Sequence, residues 1–545
     1  MKRWQKLVLT VVAAVSLAAC GNSNGNGSSD GGNGESKRDI RVSLSAQLTT
    51  LDTTQTTDKV TFTVAQHLFE GLYRLDETSE PVPGLAESVD ISEDGKTYTF
   101  HLKDGIKWSN GDPITSADFL YSWTKMVNPD TIGPNAYLLD NVVNSLEVRN
   151  GEKSFEDIGL STPDDQTFVV ELVNPQPSFL SVISIAWLAP QHQAFVEEQG
   201  DQYGQNSDAL LYSGPFTLSD WDSTSETWTL KKNDNYYAAD EVKLDQVNGS
   251  TVKEESTGIR LFESDEIDLT KISGQYVSQY NNQDFFVSEP EVANVFLDFN
   301  KVAVEALGNV HVRKAIALAI DKEGLAISVL NDGSTPLNGL VPARLYANSK
   351  TGEDFRAYSG EYNVFDLDEA KSEWAKAKDV VGDGVTLSLI IKDTDTDKRV
   401  GEYIQSQLQE NLEGLTIDLK PQPAANVNQL RKDKDYELSL SGWIAGSSEI
   451  NSYFNLYKTG SSYNYGGYDN QEYSDLVDKA ITVDANDDDA SFADFKAAEK
   501  ILLEDDASQV PLYQSAASYL IDTKVKGIVF HSYGDYYNLR TAYIE

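Results

Sequence analysis

The chain has 545 residues, and its 86 acidic and 44 basic side chains give a formal net charge of −42 at pH 7. This excess of acid argues against binding to nucleic acid and against flat adsorption on anionic lipid, because both would repel the protein. A hydrophobic content of 40% and an aromatic content of 10% are typical of a globular chain. The length predicts two or three domains.

The start of the chain has the pattern of an export signal. A basic N-terminus precedes an apolar run over 7–19, and this run is too short to cross a bilayer, which needs about 20 residues. Cys20, the only cysteine, follows directly, and this ending resembles the lipobox of bacterial lipoproteins. We expect a cleaved signal peptide over 1–19, lipid attachment at Cys20 and a flexible tether rich in Gly, Asn and Ser over 20–36.

Strand and helix patterns are intermixed along the rest of the chain. Alternating apolar residues predict strands, and apolar residues three or four apart predict helices. The predicted strands are 40–44, 98–102, 168–173, 228–232, 295–299 and 385–391. The predicted helices are 60–72, one beginning near 115, 309–321, 366–378 and the later part of 393–409. This mixture indicates an α/β fold rather than an all-β fold or a helix bundle.

No motif for catalysis or metal binding stands out. The five histidines are far apart in sequence, and none forms H-E-x-x-H. The segment 393–397 begins like a calcium loop, but Lys398 replaces the turn glycine and Gln405 replaces the bidentate acid. We therefore expect no enzyme activity, no metal and no cofactor. A secreted hydrolase is the alternative class, because paired carboxylates cannot be picked out among so many acids. A purely adhesive surface protein is a third class, and it would have no closing cleft.

Several long strings occur in a fixed order. They are LFEGLYRLDETSEPVPGLAESVDISEDGKTYTFHLKDGIKWSNGDPITSADFLYSW (68–123), YSGPFTLSDW (212–221), LKKNDNYY (230–237), FESDEIDLT (262–270) and NVHVRKAIALAIDKEGL (309–325). In these strings the chain resembles the oligopeptide- and dipeptide-binding lipoproteins of ABC importers, which form family 5 of the bacterial extracellular solute-binding proteins. The order and spacing match from about residue 40 to the end.

The resemblance implies an α/β fold like that of periplasmic binding proteins, of type II and cluster C-like. Two hinged lobes and an extra domain would enclose the ligand, and paired strands would form the hinge. We expect lobe I to comprise 37–73, 212–300 and 508–545, the extra domain (lobe II) 74–211, and lobe III 301–507.

The resemblance also implies a function. Relatives hold a peptide between the lobes as an added strand and deliver it to an ABC transporter permease. The expected partners are a peptide, the permease subunits and, through the lipid anchor, the membrane, with no nucleic acid. We expect a monomer on the outer face of a bacterial cell membrane. Nutrient transport, pheromone sensing and recovery of cell-wall peptides remain open.

The family's recognition loop reads Gly-Trp, two residues, then Asp-Tyr, and its Asp pairs with the α-ammonium of the peptide. The matching string SGWIAGSSE, 441–449, keeps Gly-Trp but has Gly446 in place of the acid, and Leu440 replaces a family arginine. An ammonium taken out of water without a partner costs several kcal/mol. Either Glu449 supplies the charge, or the ligand's terminus lies elsewhere, or the ligand has no free amine and is a blocked peptide or another molecule.

Candidate ligand contacts follow from the same resemblance. Trp443 is the first of them, because an aromatic side chain gives a large contact area with one polar group. The Tyr- and Gly-rich segment 461–468 is predicted to be a loop. The full set of candidates is Thr57, Asp58, Lys59, Tyr137, Trp443, Ile444, Ala445, Gly446, Ser447, Glu449 and Tyr513.

Overall fold

The computed structural model describes residues 38–131 and 133–545. The predicted signal peptide, Cys20 and the whole predicted tether lie outside the described residues. The strands are β1 Asp39–Leu44, β2 Tyr73–Leu75, β3 Pro81–Pro83, β4 Ala86–Ile91, β5 Thr97–Leu102, β6 Leu160–Asp164, β7 Thr167–Glu171, β8 Phe216–Ser219, β9 Thr227–Lys232, β10 Gln246–Thr251, β11 Leu269–Ile272, β12 Phe286–Phe299, β13 Thr335–Pro336, β14 Val385–Lys392, β15 Leu415–Gln422, β16 Leu438–Ile444, β17 Gln509–Ile521, β18 Val525–Lys526 and β19 Tyr543–Ile544.

Helices of very different length connect these strands. They are α1 Lys59–Leu68, α2 Ser116–Met126, α3 Ser145–Arg149, α4 Phe179–Val182, α5 Gln193–Gln199, α6 Glu255–Glu263, α7 Val277–Tyr280, α8 Glu305–Gly308, α9 Val310–Leu318, α10 Phe355–Ser359, α11 Leu367–Lys376, α12 Lys378–Val381, α13 Asp395–Asn411, α14 Ala424–Lys432, α15 Asn451–Phe454, α16 Gln471–Thr482 and α17 Asp488–Lys500, with π-helical turns at Gly324–Leu330 and Ile501–Asp505. No helix within the described ranges combines the length and apolarity needed to cross a bilayer.

Most of the predicted elements are confirmed, and their ends are set by local chemistry. The Asp366 side chain accepts a hydrogen bond from the Glu369 N–H and so caps α11. Helix α2 begins after Thr115, whose N–H donates to Asp118 Oδ2 at 2.8 Å. The prediction of a helix to residue 72 is wrong at its end. Helix α1 stops at Leu68 because the chain turns extended at Phe69 and leads into β2.

One large sheet runs through the molecule. Its order is β15-β14-β16-β12-β17-β11-β1-β10-β9-β8, with β13 beside β17. Strand β14 is parallel to β15 and β16 at one end, and β1 is parallel to β10 and β11 in the other half. The antiparallel pair β12 and β17 joins the two halves, and these strands have 14 and 13 residues. They are therefore long enough to belong to both halves.

The joining pair is interrupted at its centre. The register of β12 against β17 shifts between Pro290 and Asn294. The Gln514 side chain lies at this break and donates to the Glu291 carbonyl at 3.0 Å. It also bonds the main chain of Ala343 in both directions. A side chain thus satisfies main-chain groups that the interrupted ladder leaves free, as expected where two halves of a sheet hinge.

Four large hydrophobic cores and two small ones surround this frame in the part of the chain that the structure describes. The first core lies on the β1 half of the sheet, the second on the β14 half, and the third beside a separate sheet of order β4-β5-β7-β6. The fourth core packs α15, α16 and α17 with Val292, Phe296 and Tyr533. Residues between 185 and 210 pack in the first core, although they fall inside the predicted extra domain. The exact division into lobes stays a prediction.

Candidate functional site

The parallel strands in the two halves of the sheet have their carboxyl ends directed toward each other. Strand β11 ends at Ile272, which pairs with Ser518 near the hinge, and β16 ends at Ile444, which pairs with Ala293 at the hinge. The carboxyl ends of the strands parallel to them lie along the same two edges. Ligands of α/β proteins bind at the carboxyl ends of parallel strands. We call the space between these two edges the cleft.

Small-molecule sites have volumes of roughly 300–1,000 Å³, and a cavity of 570 Å³ lies in the cleft. One wall is Glu255 and the segment 273–276, which follow β10 and β11. The other wall is formed by residues of 394–402, at the start of α13. Arg399 is fixed in that wall, because its Nη1 donates to the Val329 carbonyl at 3.1 Å. The walls therefore carry charges of both signs.

Trp443 lies at the carboxyl end of β16 and meets Tyr463. Their ring centroids are 5.3 Å apart and the ring planes are at 70°. The indole Nε1 is buried and has no hydrogen-bond partner among the described residues. Ile444 and Tyr463 are each 48% exposed. This edge therefore offers an aromatic and aliphatic surface with one free N–H donor.

A second cavity, of 250 Å³, opens beside Trp443 and Tyr463. Its polar end is a network around Asp298, whose Oδ2 accepts from Tyr436 Oη at 3.1 Å and lies 3.3 Å from Arg431 Nη2. The Arg431 guanidinium also lies over the Tyr465 ring, at 5.0 Å from its centroid. Burial and the Asp298 charge raise the pKa of the Tyr436 hydroxyl. This cavity combines aromatic walls with a partly buried ion pair.

The segment after Trp443 is held against the rest of the protein. The Ala445 N–H donates to the Val292 carbonyl at 3.1 Å, and Ala445 and Ser447 are buried. Gly446 is exposed, and a Cβ built on it would meet no atom within 4 Å. An acidic side chain at this position would have open space in front of it.

Glu449 bridges to the other side of the cleft mouth. Its Oε1 accepts from Gln176 Nε2 at 2.6 Å and from Ser178 Oγ at 3.2 Å. Burial raises the pKa of the Glu449 carboxyl, and these two hydrogen bonds oppose the shift. Oε2 makes no hydrogen bond to a described residue. One carboxylate oxygen is thus used inside the protein, and the other has no hydrogen-bond partner among the described residues.

Tyr137, which belongs to the body of the third core, lies near Glu449. Tyr137 as a whole is 55% exposed. Partial burial of the hydroxyl raises its pKa, and the neighbouring Tyr463 and Glu449 add to the shift. The structure therefore brings Tyr137, Tyr463 and Glu449 together at one mouth of the cleft.

The candidates after β1 have structural partners of their own. Asp58 caps α1, since its Oδ1 accepts from the Thr61 N–H at 2.8 Å. Lys59 Nζ lies 3.0 Å from Glu291 Oε1 at the hinge and 4.7 Å from the centroid of the Tyr536 ring. Thr57 is exposed. Only Thr57 of these three has no side-chain hydrogen bond among the described residues.

Tyr513 is placed in the second core, where it is buried. It pairs with Val295 across the joining strands. Burial raises the pKa of its hydroxyl, and the charges of Asp397 and Asp332 add to the shift. Tyr513 therefore serves the core, and it does not line the cleft cavity.

Sequence reasoning missed several cleft residues. Tyr463 lies in the segment predicted as a loop, and its contact with Trp443 is the reason that the loop matters. Arg431 and Asp298 come from elements 133 residues apart, so no local motif contains both. The rule that ligands bind at the carboxyl ends of parallel strands could have pointed to 273–276 and 394–402.

Comparison with known proteins decides the family. The family model for bacterial extracellular solute-binding proteins, family 5 middle, matches residues 80–465. A dipeptide-binding protein of Lactococcus lactis subsp. cremoris is 31% identical, with 100% of each chain covered. This chain belongs to family 5 of the bacterial extracellular solute-binding proteins.

Solved structures agree with the family and its fold. Listeria monocytogenes OppA bound to peptide is 34% identical, with 93% of this chain and 99% of that chain covered and a TM-score of 0.74. The pheromone receptor PrgZ is 32% identical, with 94% and 100% covered and a TM-score of 0.75. The predicted α/β fold, like that of periplasmic binding proteins, is confirmed.

Proposed function

We propose that this protein is an extracytoplasmic receptor that captures peptides in the cleft and hands them to an ABC transporter permease without chemical change. The family membership supports a binding role. The names of a dipeptide-binding relative and of a peptide-bound OppA support a peptide as the ligand. The alternative of a hydrolase finds no support in the family, whose members are solute-binding proteins.

The observation that carries the proposal is the pair of facing sheet edges with an aromatic wall. Trp443, Ile444 and Tyr463 present exposed ring and aliphatic surface at one edge, with Tyr137 opposite the mouth. An extended peptide laid along β16 would bond through its main chain, which all peptides share. Its side chains would enter the two cavities, where water fills the remaining space and adapts to each sequence.

The ligand's amino terminus needs a partner in the protein. Gly446 offers no charge, so Glu449 is our candidate for the ammonium partner through its free Oε2. The distance between the two halves of the cleft is set by the hinge at 290–294 and Gln514, and closure would bring Thr57 and Lys59 to the ligand. The remaining candidates, which include Ala445, Ser447 and Tyr513, would support this wall.

A second candidate ligand is a signalling peptide or a molecule without a free amine. The absence of the family acid at Gly446 and of the family arginine at Leu440 favours it, and a relative is named a pheromone receptor. Both candidates use the same cleft and the same closure.

Anchoring is a further part of the proposal. The pattern before Cys20 supports a lipid at that thiol, with 20–36 as tether. A monomer held in this way on the outer face of the cell membrane would present its closed form to the permease. Lobes I, II and III, as divided above, are the moving parts.

The experiment is mass spectrometry of small molecules released from the protein after purification from its host, followed by calorimetry with the peptide found. The proposal expects a short peptide, bound with one site per chain. The matched control is Trp443→Ala, which should be purified without it. A protein that carries no peptide and binds none from a library of mixed sequences would contradict the proposal.

A further inference from the structure

A third cavity lies away from the cleft, where the first and third cores meet. Its volume is 380 Å³, and it is lined by the end of α1, by the chain leading into β2 and β3, and by the C-terminal segment after Val529. It shares no lining residue with the cleft cavity or with the cavity beside Trp443. A ligand in this cavity would therefore not compete with a peptide.

A buried carboxyl group with one unused oxygen faces this cavity. Glu70 is 6% exposed, and its Oε2 accepts from Tyr236 Oη at 2.6 Å. Oε1 is buried and has no hydrogen-bond partner among the described residues. Burial raises the pKa of Glu70, more than its hydrogen bonds with tyrosines and the charges of Arg74 and Arg540 lower it. Because Oε2 already accepts from Tyr236, Oε1 is the carboxyl oxygen of Glu70 that is left without a partner among the described residues.

A cation without a partner lines the same cavity. The Arg74 guanidinium makes no side-chain hydrogen bond and no ion pair with any described residue, and its Nε is buried. Buried donors of this kind are rare in folded proteins, and each one left unpaired is costly. Arg74 is charged at any ordinary pH, so the cavity holds a permanent positive charge with open hydrogen-bonding capacity.

Most of the other charges around the cavity are already engaged, and the exception is the exposed Glu77, which has no side-chain hydrogen bond or ion pair with a described residue. Arg540 donates to Tyr236 Oη at 3.2 Å and pairs with Glu241. Asp76 Oδ1 accepts from Thr78 and from the Glu80 N–H. His531 is paired with Asp535. Lys103 lies close enough to Arg74 and Glu70 to be affected by their charges, and its Nζ donates to the Ala86 carbonyl at 2.5 Å. The Arg74 guanidinium and the Glu70 Oε1 are both left without partners among the described residues, in a protein whose net charge is strongly negative.

We propose that this cavity is a second binding site, for a small molecule with a carboxylate group, held between the Arg74 guanidinium and the carboxyl group of Glu70. A carboxylate accepts two parallel hydrogen bonds from a guanidinium. In the complex the Glu70 carboxyl would carry a proton, and its hydroxyl would donate to one oxygen of the bound carboxylate. The volume is at the lower end of the range for ligand sites, which suits a molecule about as large as a free amino acid. This site is independent of the proposed peptide cleft.

The test uses the purified protein with sodium acetate as the probe, compared with sodium chloride at equal ionic strength and pH 7. The melting temperature is followed as a function of acetate concentration, because a ligand of the folded state raises it by mass action. We expect a saturable rise for the unchanged protein. For Arg74→Gln the acetate dissociation constant should increase by about tenfold or more.

Two variants make the result specific. Glu70→Gln keeps a neutral donor at the same place, so it should retain acetate binding, whereas Glu70→Leu should lose it. Arg260→Gln is the matched control, because Arg260 is an exposed arginine whose side chain donates only to Thr257. No acetate effect on the unchanged protein, or an equal effect in Arg74→Gln, would overturn the proposal.

Peptide binding separates this site from the cleft. Arg74→Gln should bind peptide as the unchanged protein does, and Trp443→Ala should keep the acetate effect. An acetate effect that disappears when peptide is bound would place acetate in the cleft and would also overturn the proposal. Failure of all peptide binding with the acetate effect intact would count only against the peptide receptor.

Discussion

The indole of Trp443 meets the ring of Tyr463 nearly edge to face, with centroids 5.3 Å apart. Tyr463 comes from a loop between α15 and α16, and Trp443 from the end of β16, so the contact fixes a loop side chain on a strand end. The pair forms one aromatic wall of the 250 Å³ cavity.

Replacing Trp443 by Ala should weaken peptide binding strongly. Buried aromatic anchors contribute about 2 kcal/mol or more to binding, which is roughly a thirtyfold change in dissociation constant. The melting temperature should change little, because Trp443 is only partly buried in the free protein. Calorimetry with one peptide measures the change. Phe155→Ala, which removes an aromatic ring that is 42% exposed elsewhere, is the control, and an equal loss in both variants would contradict the prediction.

Replacing Gly446 by Asp should strengthen binding of peptides with a free amine. The new Cβ has open space, and a carboxylate there would face the cleft. A hydrogen bond to a charged group contributes about 1.5 kcal/mol or more, so the affinity should rise about tenfold. The same peptide with an acetylated N-terminus should gain nothing, and neither should Gly446→Asn. A gain for the acetylated peptide would show that charge is not the cause.

Replacing Glu449 by Gln tests the other ammonium partner. The amide oxygen of Gln can still accept from Gln176 and Ser178, so the fold around the mouth should be preserved. Peptides with a free amine should bind about tenfold more weakly if Oε2 pairs with the ammonium, and acetylated peptides should be unaffected. Equal binding of both peptides by the variant and the unchanged protein would remove Glu449 from the site.

The pair His531–Asp535 should give the protein a stability maximum at mildly acidic pH. Burial disfavours both charges, but Asp535 raises the pKa of His531 from its ordinary value of 6.5, and His531 lowers the pKa of Asp535 from 3.8. The His531 contribution is complete below pH 6.5 and is lost as the pH rises through the raised pKa. The Asp535 contribution is complete above pH 3.8 and is lost as the pH falls through the lowered pKa.

Asp535→Asn isolates this pair. Breaking a buried ion pair costs about 3 kcal/mol or more, and the difference in unfolding free energy from the unchanged protein should be largest between the two ordinary pKa values. Denaturant unfolding at a series of pH values measures it. Asp201→Asn, at an exposed residue, should show no such maximum. A difference that does not vary with pH would mean that the pair does not titrate as a unit.

Local chemistry explains what could be predicted from the sequence. The alternation of 40–44 and the apolar spacing of 366–378 depend on neighbouring residues, and both elements are where the sequence predicts them. The strand at 295–299 was predicted too short, because its first half, from Phe286, follows no simple alternation and is stabilised by pairing with β17.

The site could be predicted from the sequence only where a run of residues resembled the family's motif. Trp443 was found by resemblance, but its partner Tyr463 was not. Glu449 meets Gln176 across 273 residues of sequence, and Arg74 and Glu70 face a cavity closed by the C-terminal segment. Contacts of this range depend on how whole bodies pack, which no local pattern encodes. Tyr513 illustrates the same point, since its ring is used by the core.

Closure of the two sheet halves over the ligand is tested most directly by measuring the distance between two spin labels with pulsed electron paramagnetic resonance. Cys20 is the only native thiol, so it is first replaced by Ser. Spin labels are then attached at Gln275→Cys and Asp395→Cys, which lie on opposite walls of the cleft. We predict that the distance between the labels shortens when a peptide that binds by calorimetry is added, and that it stays long in Trp443→Ala. An unchanged distance with the peptide fully bound would contradict the account.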